Sequence, residues 1–208
     1  MKTVIFLNGN INDYDYCKSV IQADDYIICA DGGYKHAVKL GVSPDIVIGD
    51  MDSVNMSVAG LNTVLYPKEK DATDGEIAVR HAIEHGKGSD ILILGGIGSR
   101  FDHTLCNALL LKIISDAGKN GKMSDENNDI YITSSKITLS GKPGDIVSFI
   151  PVSGTARGVS VSNMKYPLSK FDACLGTSRG ISNVMLTNVC SISVDDGLLF
   201  IIKTSDNK

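Results

Sequence analysis

Two pairs of carboxylates carry the first chemical signal in this chain. Asp50 and Asp52 follow the apolar run Ile46-Val47-Ile48 and Gly49, and Asp71 and Asp74 lie within Lys70-Asp71-Ala72-Thr73-Asp74-Gly75-Glu76. On an extended backbone, side chains at i and i+2 point the same way. Asp50 and Asp52 would therefore hold two like charges together, which costs stability unless a cation lies between them. A hard divalent ion such as Mg²⁺, bound through carboxylates and substrate phosphates, would supply that cation. An Asp-rich turn capping the next segment is the structural alternative. Asp74 has one as well. Thr73 and Glu76 have capping-box spacing, and a first-turn carboxylate suits the helix dipole.

A third stretch answers these pairs. Ile91-Leu92-Ile93-Leu94 runs into Gly95-Gly96-Ile97-Gly98-Ser99-Arg100-Phe101-Asp102-His103. A strand, a glycine-rich turn and a helix start offer backbone N–H groups to an anion. The spacing is neither that of the G-x-x-x-x-G-K-[ST] loop nor that of G-x-G-x-x-G. Arg100 is placed for a bidentate phosphate contact. Lys70 suits either a phosphate or an acidic partner, and His103 either a cap or a ligand contact. Carboxylates facing a glycine-rich loop with an arginine are the equipment of phosphoryl transfer, so the residues point to a Mg²⁺-nucleotide transferase.

The elements that must position these groups follow from periodicity. Buried strands are expected at 4–7, 26–30, 46–48, 64–66 and 91–94, with helices at 34–40, 73–85 and 105–117. Repeated strand–turn–helix units predict an α/β fold with a mostly parallel sheet. Ligands of such sheets bind beyond the carboxyl ends of the strands. Asp31 of Asp31-Gly32-Gly33, both Asp pairs and the Gly95–His103 stretch all fall there. From Gly118 to Asp129 the chain turns polar and reads as a connector, with domains expected at 1–122 and 123–208. Short runs at 130–133, 136–139, 146–151, 158–161, 191–194 and 198–202 then predict an antiparallel β-sandwich. Asp196-Gly197 reads as a hairpin turn.

Composition excludes some partners. In 208 residues, 43% are apolar and 21% charged, which is ordinary for a soluble protein. The net charge of −4 argues against a nucleic-acid surface, so phosphate must be met locally. Five scattered cysteines without a C-x-x-C pair suggest reduced thiols, with Cys29 and Cys106 as core fillers. The apolar run after Met1 is too short for a signal peptide, and no run reaches transmembrane length. No membrane role and a cytoplasmic location are expected.

The ordered set of motifs resembles bacterial thiamine pyrophosphokinase (thiamine diphosphokinase). It comprises Asp31-Gly32-Gly33, Gly49-Asp50-x-Asp52-Ser53, Lys70-Asp71-x-Thr73-Asp74 and Gly95-Gly96-x-Gly98-x-Arg100-x-Asp102-His103, with Asn107 one turn on. It continues with Asn163-x-Lys165-Tyr166-Pro167-Leu168 and Gly176-Thr177-Ser178-Arg179-Gly180-Ile181-Ser182-Asn183. The resemblance implies an N-terminal ATP-binding catalytic domain and a C-terminal β-sandwich that binds thiamine and dimerises. It also implies transfer of the pyrophosphoryl group of ATP to thiamine, with release of AMP. Mg²⁺ would be held by Asp50, Asp52, Asp71 and Asp74. ATP would be met by Asp31, Gly32, Gly33, Lys70, Thr73, Gly95, Gly96, Gly98, Arg100, Asp102, His103 and Asn107. Thiamine would be met by Thr177, Ser178, Arg179, Ser182 and Asn183, in sites shared between the subunits of a homodimer. With no tryptophan in the chain, Tyr166 or Phe171 would supply any aromatic face for the thiazolium. A diphosphokinase for another hydroxymethyl heterocycle, such as a pterin, and a non-catalytic sensor are the alternatives.

Overall fold

The computed structural model describes residues 1–49, 62–65 and 71–205. Asp50, Asp52 and Lys70 lie outside the described residues. Two compact units divide the chain, Met1–Glu126 and Asn127–Lys208.

The first unit is built on parallel strands. These are β1 (Thr3–Phe6), β2 (Tyr26–Ala30), β3 (Ile46–Gly49), β4 (Thr63–Leu65), β5 (Asp90–Leu94) and β6 (Asn120–Ser124). They lie in the order β6-β5-β1-β2-β3-β4, with Ile5 in register with Ile28 on one side and Ile93 on the other. The helices are α1 (Tyr14–Val20), α2 (Tyr34–Leu40), α3 (Asp74–His85) and α4 (Phe101–Asp116). Strand residues alternate between faces. Val4, Phe6, Ile27, Cys29, Val47, Leu92 and Leu94 form one buried cluster with Cys17 of α1 and Ala37 of α2. Ile5, Ile28, Ile48 and Ile93 are buried too and point to the other face. There α3 packs on β1, β2 and β3 and against α4. Burial on both faces, worth about 1.5–3 kcal/mol per large apolar side chain, explains why these strands read as unbroken apolar runs.

Three features of this unit depart from the expectations. Helix α1 has a single buried residue, Cys17, so its apolar period is silent. Asp13 starts it as N-cap, accepting from the N–H groups of Asp15 and Tyr16 at 2.9 Å. Helix α4 begins at Phe101, so Asp102 and His103 sit in its first turn and not in a loop. The polar stretch predicted as a connector holds β6, which the division after residue 122 would cut. Its glycine is a packing choice: a Cβ on Gly121 would come within 3.0 Å of Leu111 on α4.

The second unit is an antiparallel sandwich. One sheet orders β12 (Asn183–Val184), β9 (Ile146–Pro151), β14 (Leu199–Thr204) and β7 (Asn128–Thr133). The other orders β11 (Leu168–Cys174), β10 (Thr155–Ser162), β13 (Val189–Ser193) and β8 (Lys136–Ser140). Val147, Phe149, Leu199 and Ile201 from the first meet Val159, Val161, Ala173, Cys190 and Ile192 from the second in one core. Asp196-Gly197 is not a hairpin, because the strands flanking it belong to different sheets. Arg157 donates its N–H to the Asp196 carbonyl at 2.7 Å, holding this sheet-to-sheet crossing against β10. Strand β10 is longer than its apolar run because Gly158, at φ 65°, forms a bulge inside it.

No helix among the described residues is long and apolar enough to cross a membrane. All five cysteines are free; Cys29 is buried, but Cys106 is exposed and so is no core filler.

Candidate active site

A cleft of about 680 Å³ opens at the carboxyl ends of β1, β2 and β5, where α3 and α4 begin. Close backbone approaches build it. Beyond β1 the chain continues alongside β5, with Leu7 N–H to Leu94 O and Gly9 N–H to Gly95 O at 2.9 Å. A Cβ on Gly9 would stand 2.3 Å from the Gly95 carbonyl oxygen, and one on Gly33 would stand 2.1 Å from that of Phe6. No side chain fits such gaps, so glycine is required at both positions. Gly32, Gly33 and Gly95 thus act from behind the cleft through the backbone, while Gly96 and Gly98 line it.

Asp31 marks the end of β2. It adopts φ 46°, a conformation that costs a non-glycine residue energy and that Asp tolerates better than most. Its Oδ1 is buried without a hydrogen-bond partner among the described residues, in a side chain that lines the cleft. A buried carboxylate oxygen left unpaired is costly and calls for a donor or a cation. Asp74 lines the same cleft at the first position of α3, and Thr73 caps that helix by accepting from the Glu76 N–H at 3.2 Å. Hard oxygen donors of this kind, one of them orphaned, fit a divalent cation such as Mg²⁺. Among the described residues no three Asp, Glu, His or Cys side chains gather into a complete cage. Asp71 is exposed and does not line the cleft.

Across the cleft, the Gly95–Ser99 turn is fastened from α4. Asn107 donates to the Gly96 carbonyl at 2.9 Å, and Thr104 Oγ1 accepts from the Gly98 N–H at 3.1 Å. Arg100 is exposed and already forms a fork with Asp102, 2.6 Å at its shortest. That partner draws the Asp102 carboxyl down to about 2, so the pair stays ionised. Arg100, Asp102 and His103 all line the cleft.

Several cleft residues escaped the motif reading, namely Asn8, Gly9, Asn10, Thr104 and Cys106. The first three form the turn at the carboxyl end of β1, so the rule that singled out Asp31 would have found them. Lys35 Nζ grips Asn8 Oδ1 at 2.6 Å. A second cleft of about 520 Å³ lies by the amino ends of β2 and β3, lined by Asp25 and Asp45 among others, and gathers none of the predicted site residues.

In the second unit, Thr177, Ser178, Arg179 and Ser182 lie between β11 and β12, and Asn183 begins β12, which pairs with β9. The Phe149 N–H donates to the Gly180 carbonyl at 2.9 Å. Asn183 is buried, and its amide is committed: its Oδ1 accepts from the Tyr166 N–H at 2.9 Å, and its Nδ2 donates to the Tyr166 carbonyl at 2.7 Å. The Arg179 guanidinium stands 4.7 Å from the centre of the Phe171 ring, covering one of the two candidate aromatics. The other, Tyr166, is 58% exposed.

Fold and site define an α/β protein with an anion-receptive, carboxylate-bearing cleft, continued in sequence by an antiparallel β-sandwich. Residues 17–120 match the family model of the thiamin pyrophosphokinase catalytic domain, and residues 134–199 match that of the thiamin pyrophosphokinase vitamin B1 binding domain. The chain belongs to the thiamin pyrophosphokinase family and is an enzyme of that kind. It is 29% identical over 196 residues to the thiamine pyrophosphokinase of Bacillus subtilis, covering 86% of this chain and 87% of that one. The crystal structure of a thiamin pyrophosphokinase from Geobacillus thermodenitrificans superposes with a TM-score of 0.86 at 26% identity, over 99% of this chain and 98% of that one. The Bacillus subtilis crystal structure gives 0.88 at 24% identity, over 98% and 99%, and supports the fold.

Proposed function

We propose that this chain transfers the terminal pyrophosphoryl group of ATP to the hydroxyl of thiamine, giving thiamine diphosphate and AMP. The observation that carries this reading is one cleft joining an orphaned Asp31 oxygen, Asp74 at a helix start and the Gly95–Ser99 turn with Arg100. Asp50, Asp52, Asp71 and Asp74 would hold Mg²⁺, which when bound supplies charge neutralisation to the phosphates. Gly96, Gly98 and the backbone behind them would orient the chain of phosphates. A bond forms from the thiamine oxygen to the β-phosphorus as the α–β bridging bond breaks, its oxygen leaving with AMP. One of the cleft carboxylates takes the hydroxyl proton. Tyr166, held at its backbone by Asn183 and 58% exposed, offers an aromatic face for the cationic ring, one that the Lys165 ammonium approaches at 5.5 Å and would have to yield.

Two further parts of the reading concern context. Phe101, Leu105 and Leu109 recur every fourth residue along α4, and all three are exposed. So large an apolar stripe is unusual on a monomer and supports a homodimer that covers it and shares its active sites. Free thiols and an acidic balance support a cytoplasmic enzyme with small-molecule substrates and without a nucleic-acid partner.

Incubation with Mg²⁺, ATP and thiamine should yield AMP and thiamine diphosphate one for one. ADP as the nucleotide product, or no product, would refute the reading. Arg100→Ala should lower kcat/KM about 10²-fold, or 2–3 kcal/mol, as expected for removing a clamp on transferred charge. Arg100→Lys should recover only part of this, since a point charge cannot replace the planar fork. Complete recovery with Lys would show that the fork geometry is irrelevant.

A further inference from the structure

We propose that His36 is a positioning residue for nucleotide binding, acting by locking the Asn8–Asn10 turn that floors the cleft. This rests on the reading of the cleft as the ATP site. His36 lies in α2 and is only 2% exposed, yet it belongs to none of the chemical motifs. Its Nε2 is 2.9 Å from the Gly9 carbonyl oxygen and its Nδ1 is 2.7 Å from the Tyr14 hydroxyl. A carbonyl can only accept, so Nε2 carries the proton and Nδ1 accepts from Tyr14. The tautomer is thereby assigned from its partners. Burial pushes the imidazole down to about 4, so it stays neutral at physiological pH and donates to Gly9 alone.

Gly9 is then fixed at both ends, its N–H by Gly95 and its C=O by His36. The clasp ties the turn after β1 to the turn after β5, two main-chain segments that run side by side and both line the cleft. The ring also packs against Tyr14 and Phe6, with centroids 5.9 and 6.4 Å apart, and a Cβ on Gly95 would lie 3.6 Å from its Cδ2. The neighbouring Lys35 holds Asn8 from the same helix turn. A buried imidazole must have both nitrogens satisfied wherever it lies, and here the bond it needs falls on a carbonyl of the turn that lines the cleft, where backbone atoms must be held within about 0.5 Å.

The test is calorimetric titration with the Mg²⁺ complex of α,β-methylene-ATP, which cannot be cleaved, on wild type, His36→Leu, His36→Gln and Tyr14→Phe. The kinetic KM for each substrate is measured alongside. His36→Leu should weaken nucleotide binding about tenfold, with the thiamine KM changed less than twofold. His36→Gln, which can still donate to Gly9, should recover most of the loss, and Tyr14→Phe should give an intermediate value. Folded His36→Leu that binds within twofold of wild type overturns the inference. So does equal impairment of the Leu and Gln variants, and so does a parallel loss toward both substrates. If His36→Leu does not fold, Tyr14→Phe decides, because it removes only the donor to Nδ1; unchanged nucleotide affinity there overturns the proposal. A wild type that binds no analogue overturns the ATP-site reading and this inference together.

Discussion

An Asp74→Asn variant is expected to lose turnover by a factor on the order of 10³ or more while keeping its fold. The substitution conserves shape and removes charge. Helix α3 does not depend on that charge for its start, because the capping oxygen belongs to Thr73. The helix also loses a favourable dipole interaction worth about 0.3–1 kcal/mol, which would appear as a shift in melting. The transfer reaction loses much more. On the proposed function, a carboxylate that lines the same cleft as the orphaned Asp31 oxygen would serve a cation and the phosphates. Turnover at saturating substrates and melting without Mg²⁺ separate the two roles. Near-normal turnover with a modest melting shift would reduce Asp74 to a first-turn carboxylate. The same measurement on Asp71→Asn bears on its exposed position: a far smaller loss would place it outside the metal's direct ligands.

The parts of this protein that were legible in its sequence share one physical property. Buried parallel strands cannot hide their apolar runs, so β1, β2, β3 and β5 stand out, and Thr73 with Glu76 announces α3. Features whose residues serve other ends were silent. Gly121 in β6 is small because α4 presses on it, and the strand's polar composition, with Asn120 exposed but Ser124 buried, imitates a linker. Helix α1 buries one cysteine and shows no period. Asp196-Gly197 has hairpin chemistry, but tertiary pairing sends its flanking strands to different sheets. The same division runs through the site. Asp31 and the Gly95–His103 stretch carry their chemistry in residue type, whereas the bonds of His36 to Gly9 and of Asn183 to Tyr166 join residues far apart along the chain, and only the motif resemblance marked Asn183. No local spacing encodes such a pair.

Mixing two inactive variants should restore activity if the sites are shared between subunits. Asp74→Asn damages the phosphate end of the site. On the proposed function Asn183→Leu would damage the thiamine end, because it removes the side-chain partner of both the Tyr166 N–H and the Tyr166 carbonyl. The two lesions lie in different units, and the phosphate motifs end at Asn107 while the vitamin segment begins at Thr177. In a closed dimer each site would draw one half from each chain. A mixed dimer then contains one site with both lesions and one with neither. Random exchange of equal amounts makes half of all dimers mixed, so about a quarter of wild-type activity should return. Each parent alone must stay inactive, and subunit exchange must be demonstrated with tagged chains. Exchange without recovery would place both halves of each site in one chain. Sedimentation adds a direct check, since an active species at the monomer mass would rule out sharing. It would also leave the exposed Phe101–Leu105–Leu109 stripe of α4 without the partner that best accounts for it.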